Sequence, residues 1–125
     1  MPKIFAALDD LFFLVKIQDG AKHAGLDLTQ LCNAESIRAR ASENPDYYLF
    51  DLNCAATKPI ETIQWLRSQN PQARILGFHS HVQEELKRMA LEAGCDQVFA
   101  RSAMSSRMTE ILSSFGKIAT ASEID

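Results

Sequence analysis

The residues best suited to chemistry are Asp9, Asp10, Asp51, Asn53, His79 and Arg101, each placed just after a short apolar run. Three carboxylates brought to one edge repel one another, and a hard cation such as Mg2+ or a nearby guanidinium relieves that repulsion. His79 adds a nitrogen, and a mixed N/O set leans toward Mn2+ or Zn2+. A hydrogen-bonding or pH-sensitive role for His79 needs less. His79 and His81 alone are a weak metal signal. The plain alternative for a carboxylate at a strand–helix junction is capping of the next helix, and Asp10 stands where it would do so.

Positioning these groups requires a regular alternation of elements, and the sequence has one. Strands are expected over Lys3 to Leu8, Leu26 to Cys32, Tyr47 to Leu52, Arg74 to Phe78 and Gln97 to Ala100. Helices are expected over Leu11 to Ala24 (stopped by Gly25), Ala34 to Glu43 (capped by Asn33) and Thr57/Pro59 to Gln69. A fourth should run to Ala93, opened by a Ser80/Gln83 capping box and stopped by Gly94, and a fifth should cover Ser105 to Phe115. Leu86, Met89, Ala90 and Ala93 recur on one helical face, as do Met104, Met108, Ile111, Leu112 and Phe115. Strands alternating with helices predict a flavodoxin-like, doubly wound α/β fold: a five-stranded parallel sheet of order 2-1-3-4-5. Ligands of such sheets sit outside the carboxyl ends of the strands, where all the residues above would lie.

Composition narrows the function. The 125 residues are 46% hydrophobic and 23% charged, as in an ordinary soluble domain. A net charge of −3 and a pI near 5.6 argue against a nucleic-acid or anionic-membrane binder. The apolar run Leu11 to Val15 ends at Lys16, too short to span a bilayer, and no signal-peptide pattern precedes it, so a cytoplasmic location is expected. Cys32, Cys54 and Cys95 lack metal or disulfide spacing and read as ordinary, mostly buried thiols.

From Ile4 to Phe115 the chain resembles the receiver domain of two-component response regulators. The resemblance rests on Leu8-Asp9-Asp10, on Phe50-Asp51-Leu52-Asn53 and on Glu92-Ala93-Gly94-Cys95-Asp96. It implies a receiver-like domain over 1–116 with a tail over 117–125. Asp51 would be the phosphoacceptor, and Mg2+ (or Mn2+) would be held by Asp9, Asp10, Asp51 and the backbone carbonyl of Asn53. A histidine kinase or phosphotransfer protein would be the donor, an output protein or a second copy of the chain the partner. The chain departs from the pattern at four places. His79 stands for Thr or Ser, Arg101 for Lys and Ser102 for Pro, and Cys54-Ala55-Ala56-Thr57 replaces the usual Met-Pro-Gly loop. These departures keep open a degenerate, non-phosphorylated interaction module. From another class, a small metal-dependent phosphatase or hydrolase is the alternative, with His79 its sole candidate acid. A flavodoxin-like cofactor binder would need a phosphate-cradling loop after the first strand, where Asp9-Asp10 stand instead.

Two further expectations concern side chains near this edge. Leu11-Phe12-Phe13-Leu14-Val15 cannot all face the core, so at least one should face outward near the acidic edge; the run either packs locally against the loop after the fifth strand or offers a partner a docking surface. Arg101, a rigid fork followed by a trans peptide at Ser102, should reach across and pair with Asp51 or Asp10. Trp65 lies one step off the Ile60, Ile63, Leu66 stripe and reads as a filler at the core rim.

Overall fold

The computed structural model describes residues 2–80, 83–106 and 110. Strands β1 (Lys3–Ala7), β2 (Asp27–Leu31), β3 (Tyr47–Asp51), β4 (Ile75–His79) and β5 (Gln97–Ala100) form one sheet of order β2-β1-β3-β4-β5. Every pairing is parallel. Helices α1 (Leu11–His23), α2 (Ala34–Arg40), α3 (Pro59–Gln69), α4 (Glu84–Ala93) and α5 (Arg101–Ser106) cover it, with 3-10 turns at Ala41–Glu43 and Ala55–Thr57. The expected sheet and its order are therefore present. His81, Met108, Ile111, Leu112, Phe115 and the 117–125 tail lie outside the described residues.

Strand side chains alternate between faces, so the sheet has two cores. On one face Ile4, Ala6, Leu8, Leu49, Leu76 and Phe78 pack with Phe13, Leu14 and Ile17 of α1 and Met104 of α5. On the other, Phe5, Ala7, Tyr48, Phe50 and Ile75 meet Ile37, Ile63, Leu66, Ala90 and Ala93 from α2, α3 and α4. Tyr48 lies in this second layer, and burial pushes its phenol up to about 12. Trp65 is half-buried at its rim with the Arg38 guanidinium 5.3 Å over the ring. At the far end of the sheet Glu43 accepts from both Arg40 and Lys3, which together hold its carboxyl down at about 2.

Several expected boundaries move for identifiable reasons. The second helix tightens into 3-10 geometry after Arg40, and Asn44 takes a left-handed φ of 48°. Pro59 opens α3 as expected, but the residue before it, Lys58, is left-handed and makes no side-chain cap. Thr57 instead donates its hydroxyl to the Cys54 carbonyl, and Thr62 donates to the Thr57 carbonyl, which fixes the loop after β3. The fifth helix begins at Arg101, not Ser105. With Ser102 in place of Pro, Arg101 is free to take helical dihedrals. Met89 is 40% exposed because α4 buries a narrow stripe of Ala90 and Ala93. Cys54 and Cys95 are buried as expected, whereas Cys32, just past the end of edge strand β2, is exposed.

Gly94 ends α4 at a φ of +123°, open to glycine but strained for other residues. A Cβ there would stand 2.9 Å from Cγ of Arg67. Arg67 cannot yield, because its guanidinium donates to the carbonyls of Gly94, Pro71 and Ala73. Gly94→Ala should therefore lower stability by about 1 kcal/mol, read as a drop in the urea midpoint at unchanged slope.

Candidate functional site

The parallel sheet brings the carboxyl ends of β1, β3, β4 and β5 to one edge, and the chemistry-bearing residues collect there. Asp9 and Asp10 follow β1, Asp51 ends β3, His79 ends β4 and Arg101 follows β5. The turn after β1 is held from the side by Gln30, whose amide donates to the Leu8 carbonyl at 3.0 Å. Asp9 is exposed and Asp10 half-buried, while Asp51 is only 6% exposed.

Asp51 sits deepest. Its Oδ1 accepts the Asn53 backbone N–H at 2.9 Å, and the Cys54 N–H closes a turn on its carbonyl at 3.0 Å. Burial raises its carboxyl above the ordinary aspartate value; the Asn53 hydrogen bond and the Arg101 charge oppose the rise, and the Asp9 and Asp10 charges add to it. Asp51 thus feels all the charged members of the expected site. Burial also pushes the Cys54 thiol up, with the Asp9 carboxylate adding to the effect.

Asp10 does two things at once. Its Oδ1 accepts the Phe13 N–H at 3.1 Å and caps α1, as the plain reading of a junction carboxylate requires. Its Oδ2 is gripped by Nη2 of Arg101. The Arg101 guanidinium lies 4.4 Å over the Phe13 ring, and that ring packs 4.9 Å from Phe78. Arg101 thus takes Asp10, one of the two expected partners, and pulls its carboxyl below the usual range; the Phe13 amide helps. The described residues contain no cis peptide, so the bond to Ser102 is trans.

Three aspartates and a backbone carbonyl are hard oxygen donors, the kind a hard divalent cation takes. Among the described residues, however, no three His, Cys, Asp or Glu side chains stand close enough to make a ready nest for one. Asp9, Asp10 and Asp51 share an edge, Asp51 lies in the field of the other two, and the cation already set against Asp10 is Arg101. His79 is 7% exposed, and its Nδ1 is buried without a hydrogen-bond partner. Such an orphan is rare in folded proteins and costs free energy while it stays unpaired.

Two features escape a sequence reading. Ser80 and Gln83 do not form the expected capping box, and α4 has no side-chain N-cap. Both are recruited by the Asn53 side chain: the Ser80 N–H donates to Asn53 Oδ1 at 2.8 Å, and Asn53 Nδ2 donates to Gln83 Oε1 at 2.9 Å. Phe13 as a platform for Arg101 is the second. The run Leu11 to Val15 divides as expected: Phe13 and Leu14 are buried, while Leu11, Phe12 and Val15 are 67%, 89% and 64% exposed beside Asp10.

No protein-family model matches the sequence, and no curated protein does. Solved structures do. The receiver domain of Francisella response regulator 1452 superposes with a TM-score of 0.81 at 19% identity, over 95% of this chain and 99% of that one. The BeF3-activated receiver domain of DrrB gives 0.80 at 15% identity, over 94% and 98%. A Burkholderia pseudomallei response regulator with a phosphorylated aspartic acid, a calcium ion and citrate gives 0.76 at 19% identity, over 98% of this chain and 73% of that one. The class defined here is the CheY-like, flavodoxin-type fold of response-regulator receiver domains. Among the described residues no helix is long and apolar enough to cross a membrane.

Proposed function

We propose that this chain is a signalling receiver that accepts a phosphoryl group on Asp51 and acts through protein partners rather than by turnover. The observation that supports it most is Asp51 itself: a buried carboxylate at the carboxyl edge of the central strand, acted on by Asp9, Asp10 and Arg101 together. An Asp51 oxygen forms the bond to phosphorus as the donor's bond to phosphorus breaks, and the electron pair departs with the donor's leaving group. Asp9, Asp10, Asp51 and the Asn53 carbonyl would hold Mg2+, or Mn2+, which when bound offsets the charge between carboxylate and phosphoryl oxygens. Arg101 supplies a second positive charge for the phosphoryl oxygens, after release from Asp10. His79, with its buried Nδ1 unpartnered, is the group at the end of β4 able to donate there in place of a hydroxyl. The exposed Leu11, Phe12 and Val15 give a cytoplasmic histidine kinase or phosphotransfer protein an apolar surface next to Asp10.

Intact mass spectrometry after incubation with acetyl phosphate and Mg2+ tests this. The wild type should gain one phosphoryl group; Asp51→Asn, and wild type with chelator, should gain none. The Arg101–Asp10 grip favours a second reading, a static interaction module that never takes phosphate. No mass gain in wild type with any small donor would put that reading ahead.

A further inference from the structure

Asn53 is the one described residue whose hydrogen bonds join Asp51 to both flanks of the β4–α4 connection. Its backbone N–H donates to Asp51 Oδ1 at 2.9 Å. Its side-chain oxygen takes the N–H of Ser80, immediately after β4, and its side-chain amide donates to Gln83, the residue before α4. Since α4 has no side-chain cap of its own, its entry is tied to Asn53 instead. We infer that Asn53 is a positioning residue that couples the Asp51 side chain to Ser80 and the start of α4. A hydrogen bond to an ionised acceptor is shorter and about twice as strong as one to a neutral acceptor. Replacing or esterifying the Asp51 carboxylate therefore loosens the hold on the Asn53 backbone, and the side chain carries that change across to Ser80 and Gln83. Phe78 and His79 precede this connection, and neither has a side-chain hydroxyl to carry such a signal. The regulatory meaning rests on Asp51 as phosphoacceptor; the coupling itself does not.

The test needs no phosphodonor. Amide hydrogen exchange at Ser80 is followed by NMR in wild type, Asp51→Asn, Asn53→Ala and the double variant. Asn53→Ala should speed exchange at Ser80 by about fivefold, the loss of one ordinary hydrogen bond. Asp51→Asn should speed it measurably in the wild-type background and not at all in the Asn53→Ala background. A response to Asp51→Asn that is undiminished without the Asn53 side chain overturns the inference, as does a Ser80 amide indifferent to Asp51→Asn in wild type. Should Asn53→Ala fail to fold, the side-chain amide resonances of Asn53 in otherwise wild-type protein serve. They must shift on Asp51→Asn, and unmoved resonances reject the coupling. Phosphoryl uptake without this coupling would leave the Asp51 reading standing and remove this one. Coupling without uptake would do the reverse.

Discussion

Calorimetric titration should show Arg101→Lys binding Mg2+ about tenfold more tightly than wild type, or about 1.4 kcal/mol. The cause is competition for one carboxylate. Asp10 is a proposed Mg2+ ligand, and its Oδ2 is held by the Arg101 guanidinium. That guanidinium is further fixed by stacking on Phe13, which is itself packed on Phe78. A lysine ammonium is a mobile, strongly hydrated point charge without the planar stacking face, so it gives up Asp10 more readily. Arg101→Ala removes the competitor outright but leaves Asp10 and Asp51 to repel each other. At low metal it should be about 1 kcal/mol less stable than wild type, from the lost pair and the lost cation–π contact. Added Mg2+ should recover part of that loss. Equal Mg2+ affinities for wild type and Arg101→Lys would mean that Arg101 does not obstruct the site in solution.

Why this pairing could be anticipated, while the Asn53 bridge could not, follows from what each depends on. Asp9, Asp10 and Arg101 each follow a strand in the sequence, and Asp51 ends one. Once the sheet is parallel, the topology alone carries them to one edge, and charge then selects the partners. Strand positions were legible for a similar reason: runs such as Tyr47-Tyr48-Leu49-Phe50 are buried on both faces, and only a covered central strand reads that way. The misread sites are those where a distant hydrogen bond competes with a local one. Ser80 and Gln83 have the spacing of a capping box, yet Asn53, 27 and 30 positions away, takes both. Nothing in the local pattern marks Asn53 for this except its place two residues after Asp51. The start of α5 is not legible in the local pattern because it depends on what is absent: without proline at 102, Arg101 can turn directly from strand into helix. The single orphaned imidazole nitrogen of His79 is likewise a property of the packed environment and not of the residue type.

Asp51→Asn should be more stable than wild type, by about 2 kcal/mol in metal-free buffer at neutral pH, seen as a rise in the unfolding midpoint of about 5–10 °C. The substitution keeps the shape and the oxygen that accepts the Asn53 N–H, and it removes a charge from a site only 6% exposed. It also puts amide hydrogens where Asp9 and Asp10 otherwise add their repulsion. The pH dependence has a definite sign. Burial sets the folded Asp51 value above its ordinary value of 3.8, so the folded protein holds this proton more tightly than the unfolded chain does. Stability from Asp51 is therefore fully present below that ordinary value and is lost as pH rises through the higher folded one. Above it the wild type carries the full cost of the buried charge, and Asp51→Asn carries none. The stability difference between the two proteins should be small in acid, grow as pH climbs out of the ordinary carboxylate range, and level off once pH has passed the raised folded value. A saturating dose of Mg2+ should narrow the gap from the wild-type side only, because the neutral amide offers the cation a weaker ligand. Urea denaturation across pH, with chelator and with Mg2+, measures both effects. If Asp51→Asn is no more stable than wild type at any pH, the Asp51 carboxylate is solvated in solution rather than buried, and its proposed role as a poised acceptor loses its physical basis.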